Sequence, residues 1–124
     1  MSQTTKLLTL NNTLENYLNM PVHHVTSADE FNKYINGSGL VVVDFYADWC
    51  GPCKRISPVI EQYSTEFTNV TFIKVNVDEL EDVASSQGIS AMPSFFFFVG
   101  GKKVKEIIGA NQQGVKDAIK ELAK

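Results

Sequence analysis

The chain holds two cysteines, and they stand three residues apart in Trp49-Cys50-Gly51-Pro52-Cys53. On the first turn of a helix that spacing brings two sulfurs within bonding range. A bridge closing so short a loop removes little unfolded-state entropy, so it is a poor staple and points to chemistry instead. The segment lies between an apolar run ending at Ala47 and a helical pattern beginning near Cys50. A helix N-terminus there offers unpaired N–H groups and partial positive charge, which favour a thiolate, the form that attacks a disulfide. Cys50, at the end nearest solvent, is the expected attacker. Cys53, one turn inside, is the expected resolving thiol, and Pro52 suits the first turn, where its missing N–H costs nothing. The competing reading is half of a zinc site completed by His23 and His24. Adjacent residues of a strand point to opposite faces, which sets those two histidines against sharing one metal.

Two further residues interrupt apolar strands. Asp44 lies within Leu40–Ala47 and Lys74 within Val70–Val77. Burying a carboxylate is costly and raises its pKa, which suits a proton acceptor at neutral pH. Lys74 is placed to pair with it, and a purely structural ion pair is the alternative.

The elements that must position these groups alternate along the chain. A strand is expected at Val22–Thr26. A helix follows, capped by Ser27 with Glu30 and stopped at Asn36-Gly37. The valine-rich run Leu40–Ala47 fits a strand covered on both faces. The next helix, from near Cys50 to Phe67, carries Ile56, Val59, Ile60, Tyr63 and Phe67 on one stripe, and Pro58 should bend it. Val70–Val77 is a third strand. Asp78 and Glu81 box a short helix that Gly88 ends. Ser94–Val99 and Lys103–Ile108 form a hairpin through Gly100-Gly101, the last strand alternating charged and apolar residues. A final helix spans Asn111–Ala123. The β-α-β crossovers require parallel strands and the hairpin adds an antiparallel edge, giving an α/β fold with one mixed five-stranded sheet and four flanking helices. Residues 1–21 are expected to be an extension, with Leu7, Leu10, Leu14 and Leu18 at helical spacing over a short Thr13–Asn19 helix, and residues 22–124 the domain.

Composition narrows the class. At 124 residues, 44% hydrophobic and 20% charged, the chain can bury a core as one domain. A net charge of −3 argues against nucleic-acid binding. No apolar stretch approaches a membrane span, and the leucines near the N-terminus are too broken up for a secretory signal. A Gly-rich dinucleotide fingerprint is absent, so no bound cofactor is expected.

The run from Val41 through Asp44 and Ala47 to Trp49-Cys50-Gly51-Pro52-Cys53-Lys54 resembles the thioredoxin family. The likeness continues through Lys74-Val75-Asn76-Val77-Asp78, Ala91-Met92-Pro93-Ser94 and Gly109-Ala110-Asn111, and is greatest to the eukaryotic cytosolic type. It implies the thioredoxin fold and protein-disulfide reduction by a dithiol carrier. Asp44 would lie beneath the resolving cysteine and take its proton. Pro93 would follow a cis bond beside the cysteines, and Trp49, Gly51, Pro52, Met92 and Gly109 would face the substrate chain. Electrons would come from NADPH through a separate thioredoxin reductase. The partners implied are that reductase and disulfide proteins such as peroxiredoxins, ribonucleotide reductase or methionine sulfoxide reductase, served by a cytoplasmic monomer, with organellar targeting by the extension left open. The Gly-Pro spacer argues against an isomerase-like oxidant. A redox-dependent binding module or non-catalytic subunit is the rival function.

Overall fold

A computed structural model describes residues 22–123. The 1–21 extension and its Thr13–Asn19 helix lie outside the described residues. Five strands and four helices follow in the expected order: β1 Val22–His24, α1 Ala28–Ile35, β2 Leu40–Tyr46, α2 Gly51–Glu66, β3 Thr71–Asn76, α3 Glu81–Ser86, β4 Ser94–Val99, β5 Lys102–Ile108 and α4 Gln112–Leu122. The strands assemble as β1-β3-β2-β4-β5, with β1, β3 and β2 parallel and β4 and β5 antiparallel to their neighbours.

The central position of β2 explains its composition. Leu40 and Val42 face one core, packed with Ile56 and Ile60 of α2 and Val115, Ala118 and Ile119 of α4. Val41, Val43 and Phe45 face the other, with Phe31 and Ile35 of α1 and Val83 of α3. The four consecutive phenylalanines of β4 divide the same way: Phe95 and Phe97 enter the first core, Phe96 and Phe98 the second. Period-two alternation on a sheet covered on both faces makes every position of such a strand apolar. Asp44 breaks that rule on the face covered by α2.

Local signals act where expected at most junctions. The Ser27 hydroxyl accepts from Glu30 N–H at 3.1 Å while the Glu30 carboxylate accepts from Thr26 N–H at 2.8 Å. Asn111 caps α4 by accepting from Gly114 N–H at 2.9 Å. Gly100 and Gly101 both take positive φ, 60° and 81°, as a tight hairpin matching strand twist demands. Pro58 sits inside α2 without ending it.

Two expectations are corrected. Leu80, not Asp78, occupies the N-cap of α3, and no side chain caps that helix. The turn is made earlier by Asn76, whose Oδ1 accepts from Asp78 N–H at 2.9 Å and Glu79 N–H at 3.3 Å, which turns Asp78 away from the helix. The simple alternation expected of β5 also fails. Phe97 pairs with Lys105 but Phe98 with Lys103, so Val104 is an extra residue in a bulge. It is 45% exposed, and Ile108 at the strand end is 52% exposed; only Ile107 packs on the core.

These environments separate two substitutions that a composition argument would rank alike. Phe97→Ala, emptying a fully buried site, should cost about 3–5 kcal/mol in urea unfolding. Val104→Ala should stay within about 0.5 kcal/mol of the parent.

Candidate functional site

The carboxyl end of β2 turns directly into α2. Cys50 N–H donates to the Ala47 carbonyl at 3.2 Å, and the Cys50 carbonyl accepts from Lys54 N–H at 3.2 Å, opening the helix. Cys50 occupies the N-cap, and its Sγ accepts from Cys53 N–H at 3.2 Å. The cap role usually filled by a serine or aspartate oxygen is thus filled by sulfur. The first turn carries no acidic residue, so nothing on that turn opposes negative charge on that sulfur. Cys50 and Cys53 are joined in a disulfide with their Cα atoms 5.3 Å apart, inside the ordinary range for such bridges.

Exposure does not rank the two sulfurs in this oxidised form: Cys50 is 5% and Cys53 4% exposed. Position ranks them, because Cys50 is the residue that accepts the helix N–H. Ala47 and both cysteines form a small buried cluster, with Tyr46, Val77 and Met92 packed against it. Gly51 and Pro52 form the outer surface of the first turn, Pro52 being exposed.

Met92 packs against the bridge, and contacts from two further segments adjoin it in sequence or through Pro93. The Met92–Pro93 bond is cis, and the Pro93 carbonyl accepts from Gly109 N–H at 2.8 Å, tying the β4 entrance to the end of β5. Gly109 adopts φ 95° with open space where a side chain would begin, so backbone conformation rather than crowding calls for glycine there. Trp49 is 69% exposed, yet its indole N–H donates to Asp78 Oδ2 at 3.0 Å. Asp78 thereby anchors an exposed apolar ring next in sequence to Cys50.

Beneath the bridge is a cavity of about 120 Å³ lined by Asp44, Tyr46, Ala47, Asp48, Cys53, Lys54, Ser57 and Lys74, enough room for water among polar groups. Asp44 and Cys53 therefore line one partly open cavity. Asp44 is buried, and its Oδ1 has no hydrogen-bond partner. Burial pushes its pKa up from 3.8 to about 7; Lys74 works against that rise and Glu61 adds to it. Lys74 is the register partner of Asp44, but the direct ion pair is not made. The five ion pairs among the described residues lie elsewhere, and the Lys74 ammonium stands 5.8 Å from the Tyr46 ring centre. Tyr46 and Asp78 are site residues that sequence reasoning passed over. Tyr46 was accessible from strand period, two residues beyond Asp44 on the same face, whereas Asp78 carried no signal beyond its cap-like spacing.

The histidines diverge as strand geometry requires. His23 faces Glu30 at 3.6 Å and the Tyr34 ring at 4.7 Å, while His24 faces Glu79 at 3.1 Å. Neither turns toward the cysteines. Among the described residues no group of three or more His, Cys, Asp or Glu side chains is arranged to hold a metal, and no helix is long and apolar enough to cross a membrane.

Comparison with known proteins places this geometry. The family model described as Thioredoxin matches residues 22–121. Thioredoxin-1 of Schizosaccharomyces pombe is 48% identical over 99 residues, covering 80% of this chain and 96% of that protein. Thioredoxin-1 of Saccharomyces cerevisiae is 50% identical over 93 residues, covering 75% and 90%. Among solved structures, Plasmodium falciparum thioredoxin superposes with TM-score 0.79 at 44% identity, covering 82% of this chain and 99% of that one. A chain from a study of the thiol resolving mechanism in yeast mitochondrial 1-Cys peroxiredoxin via glutathione/thioredoxin systems gives TM-score 0.78 at 36% identity, covering 82% and 95%.

The buried carboxyl sets a pH dependence whose sign follows from its raised pKa. Near pH 4 and below, folded and unfolded chains both tend to hold the proton; between about 4 and 7 the folded chain alone does. Stability is therefore lost as pH rises through that window and stays low above it. Between pH 4 and pH 8 the oxidised protein should lose on the order of 4 kcal/mol relative to Asp44→Ala. Urea unfolding of both at the two pH values measures it.

Proposed function

The chain belongs to the thioredoxin family, whose members are protein-disulfide oxidoreductases, and from that premise we propose how its residues divide the reaction. The single observation that carries the reading is the cap: Cys50 Sγ is the hydrogen-bond acceptor at the start of α2, with Cys53 bonded to it and a cavity containing Asp44 behind.

In the reduced form the Cys50 thiolate attacks one sulfur of a protein disulfide. A Cys50–substrate bond forms, the substrate S–S bond breaks, and the first substrate thiolate departs. Asp44 takes the proton from Cys53 across the cavity; the Cys53 thiolate attacks Cys50 Sγ, closing the bridge and releasing the second thiolate. The departing sulfurs are protonated from solvent or from Asp44. Two electrons leave this chain and two enter the substrate. Lys74 limits how strongly Asp44 binds its proton. Trp49, held by Asp78, provides the apolar platform on which an extended substrate segment lies, with Gly51, Pro52, Met92, the Pro93 turn and Gly109 completing the contact surface.

A thioredoxin reductase drawing on NADPH is the proposed source of electrons. Disulfide-containing proteins are the substrate class. Peroxiredoxins are the first candidates within it, supported by the structural neighbour studied with a peroxiredoxin; ribonucleotide reductase and methionine sulfoxide reductase are others. Residues 22–124 are the working domain in this reading and residues 1–21 an extension ahead of it. Reductive chemistry suits a compartment that keeps thiols reduced, which we take to be the cytoplasm. A mitochondrial thioredoxin of Saccharomyces cerevisiae, TM-score 0.78 at 37% identity, has the same fold.

Insulin reduction with NADPH and a thioredoxin reductase tests the assignment. Cys50→Ser should abolish turnover, and Cys53→Ser should accumulate a mixed disulfide through Cys50. A partner-dependent effect that survives Cys50→Ser would instead mark a binding module. Asp44→Ala should slow resolution of the mixed disulfide, with the deficit changing between pH 6 and 9. Turnover unchanged across that range would remove Asp44 from the mechanism.

A further inference from the structure

Polar residues stand side by side where β1, β3 and β2 run parallel. His24 is the register partner of Lys74, and Lys74 of Asp44. Neighbours in register present their side chains to one face, and Tyr46, two residues beyond Asp44, shares it. An ammonium next to a buried carboxylate should close on it, because contact between opposite charges gains most where the dielectric is low. Here it stays apart. Asp44 and Lys74 are not among the ion pairs formed within 4.0 Å, and Asp44 Oδ1 is left without a partner.

The Lys74 ammonium sits instead over the Tyr46 ring, 5.8 Å from its centre, within reach of cation–π attraction. The ring also lies beside the sheet-edge residue His24. The Tyr46 hydroxyl lies 3.4 Å from His24 Nε2, and that nitrogen lies 3.1 Å from Glu79 Oε1. Tyr46, Lys74, Asp44 and Cys53 all line the same cavity.

We propose that Tyr46 is a positioning residue: its ring holds the Lys74 ammonium off Asp44, so that one carboxylate oxygen stays free beside Cys53. This rests on the reading in which Asp44 receives the Cys53 proton, and it supplies the reason that carboxylate remains able to. A carboxylate locked against a cation is favoured in its ionised form and becomes a weak base. At the distance Tyr46 enforces, Lys74 moderates Asp44 without capturing it. The remaining charged groups around Asp44 are Glu61 on α2 and, on the cavity wall, Asp48 and Lys54. A Tyr46 substitution leaves each of them in place.

The test is the titration of the Asp44 side-chain carboxyl carbon, followed by NMR in the oxidised full-length chain. Tyr46→Phe keeps the ring and should keep the parent midpoint. Tyr46→Leu frees Lys74 to close on Asp44, and the midpoint should fall by about one pH unit, the low end of what a newly adjacent cation produces. Tyr46→Met, which fills the space without a π face, should fall likewise and serves if the leucine variant does not fold. In a Lys74→Met background the same Tyr46 substitutions should move nothing. An unchanged midpoint in Tyr46→Leu and Tyr46→Met would overturn the proposal. So would an equal fall with Lys74→Met already present, since the ring would then act through hydration. Whether Asp44 is the base at all is read separately, from mixed-disulfide resolution in Asp44→Asn, so either idea can fail alone.

Discussion

One backbone N–H organises the chemistry. Cys53 N–H points at Cys50 Sγ from 3.2 Å, so the same contact that starts α2 would favour negative charge on that sulfur once the bridge is reduced, as the proposed mechanism requires. The geometry is set before any side chain is chosen. The parallel strand β2 ends at Tyr46, Ala47 accepts the Cys50 N–H, and the helix must begin there. Any residue at the N-cap with a lone pair would cap the helix. A sulfur in that place turns a structural necessity into a reactive group, and the three-residue offset to Cys53 follows from the same turn.

The second constraint is a carboxylate placed where an apolar residue would pack. Asp44 occupies the α2 face of the central strand, between Val42 and Tyr46 in strand period and across from Phe95 on β4. Nothing there neutralises it at contact distance. The fold surrounds it with charge held at a distance, Lys74 on one side and Glu61 on another, and gives it a small cavity shared with Cys53. A site meant only for stability would have closed the ion pair or removed both charges. Leaving the carboxylate unpaired fits the proposed role of Asp44 as the acceptor of the Cys53 proton.

Much of this was readable from residue types, and what was not has definite causes. Ser27 with Glu30, Gly100-Gly101 and the apolar periods of β2 and α2 are local signals, and local physics obeys them. Asp44 and Lys74 were visible because each is a charge in an apolar run. Their failure to touch was not visible, because the Tyr46 ring competes for the ammonium through space. Asp78 was misplaced for a related reason: an acidic residue three before a glutamate reads as a capping box, but Asn76 had already made the turn and the Trp49 indole claimed the carboxylate. The Val104 bulge shifts one strand against its neighbour, a property of the pair rather than of either sequence.

The cost of the buried carboxyl also bears on why the sheet is so heavily aromatic. A penalty on the order of 4 kcal/mol at neutral pH is a large part of the 5–15 kcal/mol by which a domain is usually stable. Burying a phenylalanine side chain contributes about 1.5–3 kcal/mol, so two such residues offset one unpaired carboxylate. Phe95 and Phe97 are fully buried on the same side of the sheet as Asp44, and Phe95 is its register partner on β4. Phe45 and Phe96 pack edge to face at 5.1 Å between ring centres on the other side, adding to a core that Asp44 does not touch. The cost of an ionisable group in the interior is thereby matched by apolar burial on the adjoining strand, on the side of the sheet where Asp44 and Cys53 line one cavity.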